Sequence, residues 1–177
     1  MSYFGFLRKY FKRMKIPLIE KGTVLDHLKP GTGFKVGNTL KLDSYVLSEN
    51  KESMVSAVMG VDSTKVPGGK KDIVKIENRE LDPKEVNKIA LLSYATINII
   101  QDYKVSKKYE VELPDELIGI VKCPNENCIS NPHVMKDGSI RKEPVEYKAK
   151  VIDKDVPRIK CYYCEREIDD IYENLIF

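Results

Sequence analysis

Four cysteines fall into two close pairs, Cys123 and Cys128 with four residues between them and Cys161 and Cys164 with two. Two short knuckles on separate loops suit one tetrahedral metal, because a tight turn can place each pair of sulfurs about 2.3 Å from a shared Zn²⁺. Pro124, Asn125 and Asn127 are turn formers, and Asn tolerates the left-handed backbone such a knuckle uses. The spacing therefore predicts one structural zinc held by Cys123, Cys128, Cys161 and Cys164. Two disulfides would suit an exported chain, but no signal peptide or long apolar run is present. A redox pair made of Cys161 and Cys164 would leave the first pair unexplained. His133 reads as a surface histidine, since four thiolates already close the site.

A second group of side chains suits anion binding. Lys71, Ile73 and Lys75 alternate onto one face of an expected strand, and Lys104, Lys107 and Lys108 follow another. If those strands lie close together, several ammonium groups converge, and these suit a polyphosphate because they act as point charges without fixed planar geometry. The same lysines could instead be solvated, or guard a sheet edge against aggregation; spacing leaves both readings open. No glycine-rich phosphate loop of the Walker type is present, and no Ser, His and Asp set with nucleophile context. The chain reads as a binder, not a catalyst.

Composition limits what can carry these groups. A chain of 177 residues holds one ordinary domain or two small ones, and cysteines crowded into its last third favour two. Nothing approaches the run of about 18 apolar residues needed to span a membrane, so a cytoplasmic protein is expected. The formal net charge is +3. Arg8, Lys9, Lys12, Arg13 and Lys15 contribute five positive charges before the first acid, Glu20, so the remaining chain is net negative. From Ile118 onward ten Lys and Arg face eleven Asp and Glu. That balance argues against nucleic acid as a partner, although a zinc-ribbon nucleic-acid-binding protein is the alternative that the cysteine spacing and the basic N-terminal segment would support.

The elements that must position these groups are legible in outline. Residues 1–15 read as an N-terminal extension, either loosely ordered or an amphipathic arm built on Phe4, Phe6, Leu7, Tyr10, Phe11 and Met14. Ile16 to Leu28 reads as extended, Lys29-Pro30-Gly31 as a turn, and Phe34 to Leu42 as a short helix weakened by Gly37 and Asn38. Strands are expected around Met54 to Met59 and Ile73 to Ile76. Leu81, Asp82, Pro83, Glu85 and Val86 spell an aspartate capping box inside a hydrophobic staple, and the helix they start should end near Ser93. Ala95 to Val105 then reads as one strand. The order strand, helix, strand, strand, helix, strand is that of an α+β, ferredoxin-like (split βαβ) domain over 16–108, followed by a linker over 109–117 and a small β zinc-ribbon-like domain over 118–177.

From Ile16 onward the chain resembles the regulatory chain of aspartate carbamoyltransferase. The resemblance is carried by Lys21 to His27, Gly69 to Asn78, Ala95 to Asn98, Cys123 to Ser130 and Cys161 to Glu165. It implies a non-catalytic allosteric subunit whose first domain binds nucleoside triphosphates such as CTP, UTP and ATP, and whose zinc domain docks on the catalytic chain. By matching position, Asp26, Lys75 and Asn98 would lie around the ribose and base, Lys71 and Lys108 near the phosphates or ribose, and His27 near the phosphates. Leu18, Ile19, Ile100, Tyr103 and Val105 would wall the base. Asn125, Asn127 and Glu165 would contact the catalytic chain, and regulatory chains would pair as dimers linking catalytic trimers. The 32 residues between Cys128 and Cys161 look longer than the family's, with an insertion within Asp137 to Asp155, and the loop Asp62 to Gly69 looks expanded beside the phosphate site.

Overall fold

The computed structural model describes residues 17–47 and 53–177. The basic segment before Lys15 lies outside the described residues. The first sheet has five strands: β1 (Gly22–Leu28), β2 (Val55–Asp62), β3 (Lys70–Glu77), β4 (Thr96–Gln101) and β5 (Lys104–Glu110). Their spatial order is β2-β3-β1-β4-β5, with every neighbour antiparallel. Helices α1 (Gly33–Thr39), α2 (Leu42–Leu47) and α3 (Pro83–Leu92) complete the domain. The first four strands, α1 and α3 reproduce the expected split βαβ arrangement, and the fifth strand is an addition at one edge.

Alternation decides which face is covered. Leu25, Val74, Ile76 and Ile97 turn inward and pack with Val36, Leu40 and Ile89 in one buried cluster. The opposite face carries Asp26, Lys71, Lys75 and Asn98 of the same strands. Gly22, where β1 begins, has φ +135, and a Cβ there would fall 2.2 Å from the Ile76 carbonyl oxygen, so only glycine lets β1 approach β3 this closely.

The capping box on α3 forms as expected: the Glu85 amide donates to Asp82 Oδ1 at 2.9 Å, and the Asp82 amide donates to Glu85 Oε2 at 3.0 Å. Two elements differ from the sequence expectation. The short helix stops at Thr39, and a second helical turn, α2, follows after Lys41, whose φ is 51. The single strand expected over Ala95 to Val105 is a hairpin, reversing at Asp102 and Tyr103 with φ of 51 and 61, the two left-handed residues of a tight β-hairpin turn. Strand β5 therefore runs to Glu110, and the connection to the next sheet is the short run 111–115.

The second sheet contains β6 (Glu116–Ile118), β9 (Lys148–Asp153) and β10 (Arg158–Cys161) in the order β10-β9-β6. A two-stranded ribbon, β7 (His133–Val134) with β8 (Ile140–Arg141), stands between the cysteine knuckles in sequence. Leu117, Ile120, Val121, Ala149, Ile159, Ile168 and Leu175 form the core beneath the three-stranded sheet, and Ala90 and Leu91 of α3 belong to the same cluster together with Leu113 of the connection. The two lobes thus share apolar packing. No helix among the described residues is long and apolar enough to cross a membrane.

Candidate functional site

All four cysteine sulfurs lie within 4.8 Å of one another, with Cys123 Sγ 3.5 Å from Cys164 Sγ and Cys128 Sγ 3.6 Å from Cys161 Sγ. A tetrahedron with metal–sulfur bonds of about 2.3 Å has edges of about 3.8 Å, so this spacing fits one metal ion. The first knuckle is folded by its own backbone: the Cys128 amide donates to the Asn125 carbonyl at 2.9 Å and the Asn127 amide to Asn125 Oδ1 at 3.2 Å. Buried Asn131 donates from Nδ2 to the carbonyls of Cys123 and Asn125, both at 2.8 Å. The second knuckle continues β10 and closes through Glu165, whose amide donates to the Cys161 carbonyl at 3.1 Å and whose φ is 58.

The sulfurs also receive donors suited to thiolates. The Asn125 amide points to Cys123 Sγ at 3.4 Å and the Ser130 hydroxyl to Cys128 Sγ at 3.2 Å. Burial pushes the Cys123 thiol well up. Burial also acts to raise Cys164, but hydrogen bonds led by the Arg166 amide and the Asn125 side chain outweigh it and bring that thiol to about 7. A dication among the four sulfurs would relieve this conflict by pairing each ionised ligand. Ser130 and Asn131 were not anticipated as parts of the site; their position just beyond the knuckle is the signal that could have found them.

Of the expected lysines, Lys71, Lys75 and Lys108 share the open face of the first sheet, whereas Lys107 pairs with Ile99 and turns to the other side, over the Tyr109 ring. Lys75, Val24, Asn98 and Lys108 form one row across β3, β1, β4 and β5 by strand register. One step toward the C-terminal end of β1, Lys71 Nζ lies 2.7 Å from Asp26 Oδ1, both side chains being largely buried. Burial alone would raise the Asp26 carboxyl, but the Lys71 hydrogen bond and the His27 amide more than compensate and hold it below its ordinary value. His27 occupies the irregularity in β1 at φ 59, with Nδ1 3.2 Å from Thr96 Oγ1 and 3.4 Å from Asp26 Oδ2. Burial, together with the charges of Lys71, Lys65 and Lys108, outweighs Asp26 and lowers its pKa.

At the other end of the face, Lys75 Nζ donates to the Pro17 carbonyl at 3.1 Å and the Tyr103 amide to the Glu20 carbonyl at 3.0 Å, which ties the segment before β1 to the sheet. Leu18, Tyr103 and Val105 are exposed there, whereas Ile19 and Ile100 are buried. Asn98 Nδ2 donates weakly to the Val24 carbonyl at 3.4 Å. A cavity of ≈ 330 Å³ opens beside His27, lined also by Lys65, Thr96, Lys108 and Glu110. Lys65, Thr96 and Glu110 were not anticipated. Thr96 and Glu110 share the open face by alternation, and Glu110 falls outside the expected site because a single strand over Ala95 to Val105 has no partner strand to carry it there.

On the cysteine lobe, Asn125 is half-buried while Asn127 and Glu165 are exposed at the two knuckles. The family described as aspartate carbamoyltransferase regulatory chain, allosteric domain, matches residues 14–112, and that described as its metal binding domain matches residues 115–172. This chain belongs to the aspartate carbamoyltransferase regulatory chains. It is 40% identical over 168 residues to the regulatory chain of Thermococcus sibiricus, covering 93% of this chain and 99% of that one. It is 43% identical to that of Pyrococcus abyssi over 165 residues, 92% and 98% of the two chains. The Methanothermobacter thermautotrophicus chain is 42% identical over 164 residues, 92% and 94%. The five-stranded lobe is thus the family's allosteric domain, the cysteine lobe its metal-binding domain, and the subunit is of the non-catalytic regulatory kind.

Proposed function

We propose that this chain is the subunit through which nucleoside triphosphates (CTP, UTP and ATP) regulate an aspartate carbamoyltransferase in pyrimidine biosynthesis. The observation that carries the reading is the convergence of Asp26, Lys71, Lys75, Asn98 and Lys108 on one open sheet face, with His27 at its end. The base would lie against Leu18, Tyr103 and Val105, supported from beneath by Ile19 and Ile100. The ribose would sit over the row of Lys75 and Asn98, and the phosphates would point to Lys71, Lys108 and His27. From Gly22 to His27 the strand rises about 17 Å, a span that suits an extended nucleoside triphosphate.

Cys123, Cys128, Cys161 and Cys164 would hold one structural Zn²⁺, which supplies the cross-link between two knuckles that a small lobe cannot obtain from its core alone. Asn125, Asn127 and Glu165 would then present the surface that docks on the catalytic chain, with regulatory chains pairing as dimers in the cytoplasm. Nucleotide regulates only if the two quaternary states differ in affinity for it, and the coupling is reciprocal, typically about 1–3 kcal/mol.

Two measurements test this. Lys75→Ala should weaken CTP binding by about 1.5–3 kcal/mol in calorimetry, the size of a hydrogen bond to a charged group; an unchanged affinity removes Lys75 from the site. A thiol-reactive mercurial should release zinc and detach the catalytic trimers together. An assembly that stays whole after losing all its zinc rules out the proposed joint.

A further inference from the structure

A second cavity lies on the helix side of the first sheet, where the two lobes meet. It measures ≈ 510 Å³, and its wall includes Lys41, Ser44, Tyr45, Lys84, Lys88 and Phe177. Lys41 stands between α1 and α2 in a left-handed turn with φ 51, while Lys84 and Lys88 are one helical turn apart on α3. The cysteine lobe contributes Phe177, anchored by the Ile176 amide, which donates to the Ile120 carbonyl at 2.9 Å. Lys84 also reaches across to that lobe, since a Cβ at Gly119 would fall 3.4 Å from Lys84 Nζ.

The carboxylates in this wall are already committed. Asp82 accepts the Glu85 amide at 2.9 Å as the cap of α3, and Glu85 accepts the Asp82 amide at 3.0 Å and pairs with Arg79. The Arg79 fork is occupied as well, by Glu85 and by the Leu40 carbonyl at 2.9 Å, with its guanidinium over the Tyr45 ring. Among the described residues no carboxylate lies within ion-pair distance of Lys41, Lys84 or Lys88. Like charges at i and i+4 on a helix repel, so Lys84 and Lys88 share a face at a cost. Burial acts most strongly on the half-buried Lys88 ammonium, and with the charges of Lys41 and Lys84 it outweighs Asp82 and Glu85 and lowers the Lys88 pKa. An anion among the three ammonium groups would relieve this conflict.

We infer that this cavity is an anion site, separate from the open sheet face, in which Lys41, Lys84 and Lys88 hold a small multivalent phosphate at the junction of the two lobes. The donors decide the class of ligand. A planar carboxylate is best met by a free arginine fork, and Arg79 has none to offer, whereas lysines bind phosphate as point charges from several directions. The site does not depend on the nucleotide reading above, because none of its residues lies on the open face. Its occupant would touch α3 and the cysteine lobe together, across the packing that joins them.

The test uses the full-length, zinc-loaded chain, limiting acetic anhydride and peptide mass spectrometry to follow each lysine, with pyrophosphate as the probe. Pyrophosphate should slow acetylation of Lys88 saturably, by about tenfold when the site is about nine-tenths filled, because only the free site reacts. Lys136, exposed on the turn between β7 and β8, is the control for general screening, and citrate at matched ionic strength should protect Lys88 little. Lys41 is exposed, so Lys41→Ala leaves the core intact, and it should require about fivefold more pyrophosphate for the same protection, the size of a partly solvated charge pair. In Lys108→Ala, which alters the sheet face, protection of Lys88 should be unchanged. Slowing at Lys88 no greater than at Lys136, equal protection by citrate, or protection indifferent to Lys41→Ala would overturn the site. Protection confined to Lys71, Lys75 and Lys108, or lost in Lys108→Ala, would overturn it too while leaving the nucleotide face standing.

Discussion

His27 is pulled in two directions. Burial and three lysines favour its neutral ring, and Asp26 opposes them without prevailing. In the free chain the folded state therefore binds a proton on this residue less readily than the unfolded state. Stability is lost as pH falls through the ordinary histidine value toward the lowered folded one. On the proposed function, a bound triphosphate would reverse the local field, so binding should take up a proton over the same window. Asp26, held low by Lys71, stays ionised throughout. Between pH 7.5 and 6, CTP affinity should rise by about threefold relative to a His27→Gln variant. Comparison with the variant cancels the titration of the nucleotide itself, and parallel pH profiles would show that His27 does not meet the phosphates.

Strand β3 shows how one element serves two faces. Lys71 and Lys75 turn to the open side, while Asp72, between them and fully buried, turns to the helices. Its carboxylate accepts amides from Gly31 at 2.8 Å and Gly33 at 3.0 Å, where α1 begins, and from Gly60 of β2 at 3.0 Å. Asp72→Ala leaves three amides without their acceptor and should cost about 3 kcal/mol or more in urea denaturation. A loss under about 1 kcal/mol would mean that water replaces the carboxylate. Alternation in the sequence already puts the lysines on one face, but nothing local marks Asp72, because its partners lie 12 to 41 residues away. Conversely, the cap of α3 was legible because both halves of the box sit within three residues. The reversal at Asp102 and Tyr103 is hard to read because neither is a glycine, although both take positive φ.

The lobes meet through α3, where Ala90 and Leu91 enter the core of the metal-binding domain beside Leu113 and Leu117. Near this junction the Asn38 side chain reaches the Tyr172 hydroxyl at 3.4 Å and Lys35 lies over the Tyr172 ring. On the proposed function, this shared core is what carries a change at the sheet to the docking surface. Leu91→Ala should cost about 2 kcal/mol or more of stability. In the assembled complex it should reduce the shift that CTP produces in aspartate saturation, with CTP affinity of the isolated chain changed less than about twofold. Full regulation in that variant would place the coupling elsewhere.

Cysteine spacing, the alternating lysines and the helix cap were readable from the chain alone, because each depends on residues a few positions apart whose geometry is set by local backbone. The order of the elements followed from the same signals, and with it the ferredoxin-like frame. Tertiary structure alone decided that Asp26 would meet Lys71, that Lys65 would swing in beside His27, that Asp72 would be buried under three amides, and that α3 would complete a second domain's core. These are contacts between distant segments, and their partners are chosen by the packing of the whole chain.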